Sequence, residues 1–427
     1  MAKYEKVELL SPAGELDSLK SAIAFGADAV YFADKNFGMR TASKNFSESD
    51  FEKGLEFARK NGVKAYITVN IVPSNEEIEN LKNYFSFLNT SKANAVIISD
   101  IGIMELAKKY APALDIHIST QAGVTNYYTA KKLYELGAKR VVLARELSIE
   151  DIALICEKTP ANLEIECFVH GAMCMSFSGR CLLAQYLTGR DANHGDCPQA
   201  CRWEYKIVEA KRDNMPIDLI EDQTGTTIMN AQDMCMIEHI DDLVNAGVKS
   251  LKIEGRAKSA YYTGAITNAY RVAIDSYYNN QPAPKWALEE VNNVSHRAYS
   301  TGFYYSGKMS EGRRTPPSQT YNTGYIRNYK LLGNVIEKPG GVQSNSKALI
   351  ETRNYFQTGD TVEIIMPGKE PIKTKICEII DKSNAAITVS NKPMEKVLLE
   401  FENAENTHFP IPTGSFIRKE LSDSYPS

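Results

Sequence analysis

No apolar run in this sequence approaches the roughly 18 residues needed to cross a bilayer. The first ten residues, MAKYEKVELL, lack the apolar stretch of a secretory signal, so a cytoplasmic protein without membrane partners is expected. Excess basic charge is missing as well: 49 Lys and Arg stand against 53 Asp and Glu, a net charge of -4. That excludes a general cationic coat, and any polyanion would have to meet a local patch. HExxH, GxSxG, Asp-Thr-Gly and Asp-Ser-Gly are all absent, which removes the familiar zinc, serine and aspartic hydrolase signatures. Disorder is excluded by composition, since the chain is 43% hydrophobic and 24% charged.

What is present is a repeating unit. A helical stretch, a turn carrying Gly and a short apolar strand recur at Gly26, Gly62, Gly137 and Gly247. Glycine suits a left-handed helix cap, and the β-branched run after it suits a buried parallel strand. Such runs start near residues 7, 29, 64, 95, 115, 140, 164 and 250. Eight strands alternating with helices predict a closed α/β barrel of the (β/α)8, TIM-like type. A doubly wound open sheet is the alternative, weakened because no GxGxxG follows the first strand. The barrel is expected over residues 1–310, with a Cys-rich insertion at 171–249 after strand seven that includes a hairpin around Lys206–Ile220. Lys258–Asn280 reads as a helix, and a second helix is expected to run on to about Tyr299. A linker at 311–324 leads to alternating short strands over 325–427, read as a small antiparallel β-barrel.

In barrels of this type the C-terminal ends of the strands form the active-site mouth. Polar residues there are Ser11, Asp34, Asn70, Asp100, Gln121, Arg145, His170, Glu254 and Arg256. Each singly could be a cap or a solvated loop residue, but together they make a site. Cysteine is the most informative residue type. Of eight, five (Cys174, Cys181, Cys197, Cys201 and Cys235) belong to one stretch. In a reducing compartment such a cluster is more often a metal or catalytic site than a disulfide framework. Structural zinc favours paired knuckles, and only Cys197 and Cys201 have that spacing. An iron–sulfur cluster tolerates scattered thiolates. Iron–sulfur, and zinc with structural thiols, both stay open on this basis. Cys156 and Cys377 sit in apolar runs and are expected to be buried and inert.

The stretch from Glu166 to Cys181, with Phe168, Gly171, Ala172, Met173 and Gly179 in place, resembles the motif of the collagenase-like peptidase family of unassigned catalytic type. Where that motif closes on Ser, this chain has Ala184. The likeness extends to Leu10–Gly14, Ser119–Gln121, Thr188–Asn193 and Lys252–Arg256, and to the C-terminal β module. Within the family the sequence is similar to the members that make 5-hydroxyuridine at the wobble position of tRNA; others hydroxylate a ribosomal RNA cytidine.

The resemblance implies a 4Fe–4S cluster and prephenate as the source of the hydroxyl group. By spacing, the ligands of those relatives fall on Cys174, Cys181, Cys197 and Cys235, with Cys201 the runner-up. Prephenate carries two carboxylates, which guanidinium groups hold bidentately. Arg40, Arg145, Arg180, Arg190 and Arg256 are the candidates, beside Asn70 and Gln121, and His170 and Glu254 are the candidate proton carriers. For tRNA, a basic rim of Arg180, Arg190, Arg202, Lys252 and Lys258 is expected, with Trp203 and Tyr186 as base platforms unless they are core or interface aromatics. Two other readings remain: a hydrolase using a Cys174–His170 pair, and a chain working with a paired homologue or as a homo-oligomer.

Overall fold

The computed structural model describes residues 6–34, 37, 46–174, 176–203, 231–307, 325–336, 346–402 and 410–421. Arg40, the hairpin expected at Lys206–Ile220 and the linker at 311–324 lie outside these. The chain divides into two compact units. One comprises Met1–Leu19, Ala27–Ser259 and His296–Tyr325; the other comprises Lys20–Gly26, Ala260–Ser295 and Ile326–Ser427. No helix among the described residues is long and apolar enough to cross a membrane.

The first unit is built on parallel strands β1 (Glu8–Pro12), β2 (Ala29–Phe32), β3 (Lys64–Val69), β4 (Ala95–Ile98), β5 (Asp115–Ile118), β6 (Arg140–Val142) and β7 (Glu164–Ala172). An added strand, β8 (Asp233–Cys235), precedes the eighth parallel strand, β9 (Ser250–Ile253). Neighbouring parallel strands pair in order, and β9 pairs with both β7 and β1, so the sheet closes into the expected eight-stranded barrel. Helices between strands start on polar caps: Ser47, Asp100, Asn126 and Ser148 each accept a backbone N–H of the first turn, satisfying donors that helix starts leave open. The lower barrel interior is apolar and aromatic, with Leu10, Ala29, Tyr31, Tyr66, Ala95 and Ile97 packed together.

Charges also run through this interior. Arg140 on β6 donates to Glu8 of β1 (2.6 Å) and to Glu164 (2.6 Å) and Glu166 (2.9 Å) of β7. Lys252 of β9 donates to the other oxygen of Glu166 at 2.8 Å. Tyr66 donates to Glu8 at 2.7 Å. Burial opposes the Arg140 charge, but Glu166 and Glu8 outweigh it and hold its pKa well above the ordinary value. Each end of this chain of ion pairs is satisfied, as buried charge requires.

Two corrections concern the edge of this sheet. β8 runs antiparallel to β7, pairing Cys235 with His170. The stretch to Tyr299 is not a long helix: Lys285–Glu290 is helical, and Tyr299–Ser300 forms β10, paired with β8. Buried Arg297 pins this edge, its backbone N–H and guanidinium donating to Asp233.

In the second unit, a helix (Ala260–Tyr278) is followed by a ring of antiparallel strands. These are β11 (Tyr329–Val335), β12 (Lys347–Thr352), β14 (Thr361–Ile365), β15 (Ile372–Ile380), β18 (Lys396–Phe401) and β19 (Phe416–Glu420), with short β13 (Phe356–Gln357), β16 (Ala386–Ile387) and β17 (Val389–Ser390) between them. The order β14-β19-β11-β12-β18-β15 closes through β15–β14, around Leu332, Ile350, Ile364, Ile376 and Leu399. β19 is the ring strand least marked by its sequence. Its Arg418 is buried, bonded to Glu290 (2.5 Å) and Glu363 (2.7 Å), and so breaks the apolar pattern that marks a strand. Cys377 is exposed rather than buried, because it sits at a bulge between Ile376 and Glu378 where β15 shifts register.

Replacing Arg140 with Met should remove the cation that Glu8 and Glu166 share, leaving Glu166 with Lys252 alone and Glu8 with only the exposed Lys64. The expected loss is about 3–5 kcal/mol of unfolding free energy, read from urea denaturation. A loss under about 1 kcal/mol would show that the barrel does not rely on this charge.

Candidate functional site at the barrel mouth

Two glycines let the last barrel loop close over the mouth. A Cβ on Gly171, at φ +108, would stand 2.6 Å from the Glu254 carbonyl oxygen, and one on Gly14 would stand 1.9 Å from that of Arg256. Only glycine allows the first and seventh strand ends to approach the Glu254–Arg256 segment this closely. Beyond β7 the insertion is braced at two points. Glu146 accepts from the backbone N–H (2.7 Å) and hydroxyl (2.9 Å) of Ser178. Asn193 holds Cys181 from both sides, accepting from its N–H at 3.2 Å and donating to its carbonyl at 3.0 Å.

These elements enclose a cavity of about 400 Å³. One wall carries four thiols: Cys174, Cys181, Cys197 and Cys201. All are free. Burial raises the Cys201 pKa, and the neighbouring Cys174, Cys197 and Cys181 add to the rise. The floor is cationic, formed by Arg145, Lys252 and Arg256. Arg145 donates to the Ala172 carbonyl at 2.8 Å and lies 3.8 Å from the centre of the Phe168 ring. Buried Arg256 donates to the Thr68 hydroxyl. Burial holds the Lys252 ammonium below its ordinary pKa, against the opposing pull of Glu166. Asn70 and Gln121 line the side and bond each other at 2.7 Å. Arg202, bonded to the Tyr325 hydroxyl at 3.1 Å, and Lys258, over the Tyr325 ring, stand at the rim.

Of the residues expected at the site, Asn70, Gln121, Arg145, Glu254 and Arg256 line the cavity with the four thiols. Arg180 and Arg190 are exposed and are not among the lining residues; Arg190 is paired with Asp196. Cys235 is likewise not in the lining, being carried on β8 opposite His170. His170 is buried and outside the lining, in contact with the Tyr299 hydroxyl at 3.4 Å. Burial pushes its pKa down to about 3. No histidine is among the described lining residues, so His170 does not join Cys174 in the lining. Lys252, expected on the rim, belongs to the floor and the buried ion chain. Arg140, Glu146 and Thr68 escaped the sequence reading; the one signal was a charge inside a strand, as at Arg140 and Lys252.

Free thiols gathered on one cavity suit an iron–sulfur group in donor type, since such clusters take thiolates. They do not form a ready-made cage: among the described residues no group of three or more His, Cys, Asp or Glu is positioned to hold a metal ion.

A (β/α)8 barrel with a thiol-walled, cation-floored mouth and an appended antiparallel barrel is what the chain presents. It belongs to peptidase family U32, whose model matches residues 14–314, while the model of that family's C-terminal domain matches 327–418. It is 41% identical to tRNA hydroxylation protein P of Helicobacter pylori over 97% of this chain and 99% of that protein. It is 34% identical to tRNA hydroxylation protein P1 of Bacillus subtilis over 93% of this chain and 92% of that protein. A protein named collagenase from Porphyromonas gingivalis is 31% identical, over 91% of this chain and 95% of its own length.

With a folded pKa near 3 against an ordinary 6.5, His170 stays neutral in the folded protein while the unfolded chain takes up a proton. Its contribution is therefore intact above pH 6.5 and is lost as pH falls from there toward 3. Over that window the wild type should lose up to about 1.4 kcal/mol per pH unit more than His170→Gln, read from unfolding curves at stepped pH. Parallel curves would place the histidine in a wetter setting.

Proposed function

We propose that this chain is an RNA-modifying enzyme that hydroxylates RNA independently of oxygen, with the wobble uridine of tRNA as target and 5-hydroxyuridine as product. One observation carries the reading. A single cavity at the barrel mouth is walled by four thiols and floored by three cations, in a chain that matches tRNA hydroxylation proteins along nearly their whole length.

The thiols of Cys174, Cys181 and Cys197, with Cys201 in fourth place, would hold a 4Fe–4S cluster, which supplies one-electron chemistry when bound. Cys235 is the fourth ligand that the family resemblance implies; sharing of one cavity by the other four favours Cys201. In the same cavity, the cationic residues suit a small dicarboxylate such as prephenate. The Arg145 and Arg256 guanidinium groups are already oriented by Ala172, Phe168 and Thr68, so little rotamer freedom is lost on binding a carboxylate. Lys252 adds a third cation, held in place by Glu166. Asn70 and Gln121 offer amide donors and acceptors to a base or a hydroxyl. Glu254, a carboxylate in the lining beside Arg256, is placed to take or return a proton.

Protein purified without air should be brown and contain iron and sulfide in near-equal amounts. Serine in place of Cys174, Cys181, Cys197 or Cys201 should abolish the colour, whereas Cys235→Ser should retain it; the reverse result for Cys201 and Cys235 would return the fourth position to Cys235. A colourless wild type that cleaves collagen peptides would favour hydrolysis.

Mass spectrometry of nucleosides from a deletion strain should show 5-hydroxyuridine lost from bulk tRNA. A full level of that nucleoside alongside a missing ribosomal hydroxycytidine would move the target to ribosomal RNA.

A further inference from the structure

The insertion presents apolar surface that its own fold does not use. Over residues 177–203, Phe177, Leu182, Tyr186, Leu187 and Trp203 are all exposed, Tyr186 at 85% and Trp203 at 44%. A cluster of large exposed side chains in so short a stretch marks a contact site. The short helix Leu183–Thr188 explains the arrangement. Its Leu183 and Ala184 line the thiol-walled cavity, while Tyr186 is turned to solvent. That helix packs on the turn Ala200–Arg202, which Trp203 follows directly in the chain.

The charge beside this patch selects its partner. Among the described residues Arg180 is exposed with no ion pair, and Arg202 and Lys258 stand at the cavity rim. The nearby aspartates are already engaged, Asp196 by Arg190 and Asp191 by His194. Exposed aromatic faces carried on the same insertion as Arg180 and Arg202 meet the two needs of a single-stranded nucleic acid: stacking for unpaired bases and cations for the backbone. A duplex would bring phosphates and leave the rings unused.

We infer that Tyr186 and Trp203 form a stacking platform for unpaired RNA bases, seated on the outer face of the insertion and leading into the thiol-walled cavity. This rests on the reading of the chain as an RNA-modifying enzyme and assigns the surface that selects looped RNA over paired RNA. The stacked bases flank the reacting nucleotide and hold the strand while that nucleotide enters the cavity. The two side chains are therefore positioning residues.

The test uses the full-length protein and two fluorescent RNAs, a hairpin with a seven-base unpaired loop and a fully paired duplex of the same base composition, with anisotropy as the readout. Wild type should prefer the hairpin, and the double variant Tyr186→Ala/Trp203→Ala should bind it about 10-fold or more weakly, the size expected for lost base stacking. Tyr186→Phe/Trp203→Phe should keep the affinity, because the rings remain. Tyr128→Ala removes another highly exposed aromatic, on the helix Tyr127–Glu135, and should have no effect. Equal hairpin binding by wild type and the alanine double variant would overturn the platform while leaving RNA modification standing. A double variant that binds RNA normally but sediments at a different mass would instead make the patch a contact between copies of the chain. Wild type that binds neither RNA would remove both this inference and the reading beneath it.

Discussion

The buried chain of charges Glu8–Arg140–Glu166–Lys252 is the constraint on which the barrel and its mouth both depend. Its members lie on β1, β6, β7 and β9, which are consecutive around the sheet. This is the seam where the barrel must close after the chain has left β7 and returned only at β9. An apolar interior would reward closure in several registers. Opposed charges in a low-dielectric interior are tolerated in few of them, because a mismatch leaves a carboxylate or an ammonium without a partner. The same chain delivers Lys252 to the cavity floor, so the device that sets the closure also sets the chemistry above it.

The insertion uses that fixed frame. It departs from the end of β7, returns through β8 along the same strand, and leaves its thiols around the cavity between. Gly14 and Gly171 bring the Glu254–Arg256 loop down onto the other strand ends. The result is one cavity lined both by soft sulfur donors and by cations. No histidine is among the described lining residues.

Much of the frame was legible from pattern. The eight barrel strands begin within a residue or so of their apolar runs, because a parallel strand buried on both faces must be apolar almost throughout. The elements that escaped are those whose residues answer to partners far away in the chain. β19 hides Arg418 against Glu290 and Glu363, and β8 and β10 are short pieces held by the Asp233–Arg297 pair. Arg140 escaped notice and Lys252 read as a rim charge because their carboxylates lie on other strands. Tyr186 and Trp203 could have been core aromatics by composition; they are exposed because the small residues Ala184 and Ala200 take the inner positions.

By itself the sequence determined the alternation of helix and strand, the barrel it implies, the thiol-rich insertion and the family, since each is written in local periodicity or in contiguous motifs. Only the tertiary structure decided which polar strand ends face the cavity, that Cys201 shares it while Cys235 sits beside His170, and that His170 is buried behind it. Those are questions of direction: a side chain's neighbours depend on strand register and on where a closed sheet turns inward, and neither is encoded within reach of the residue itself.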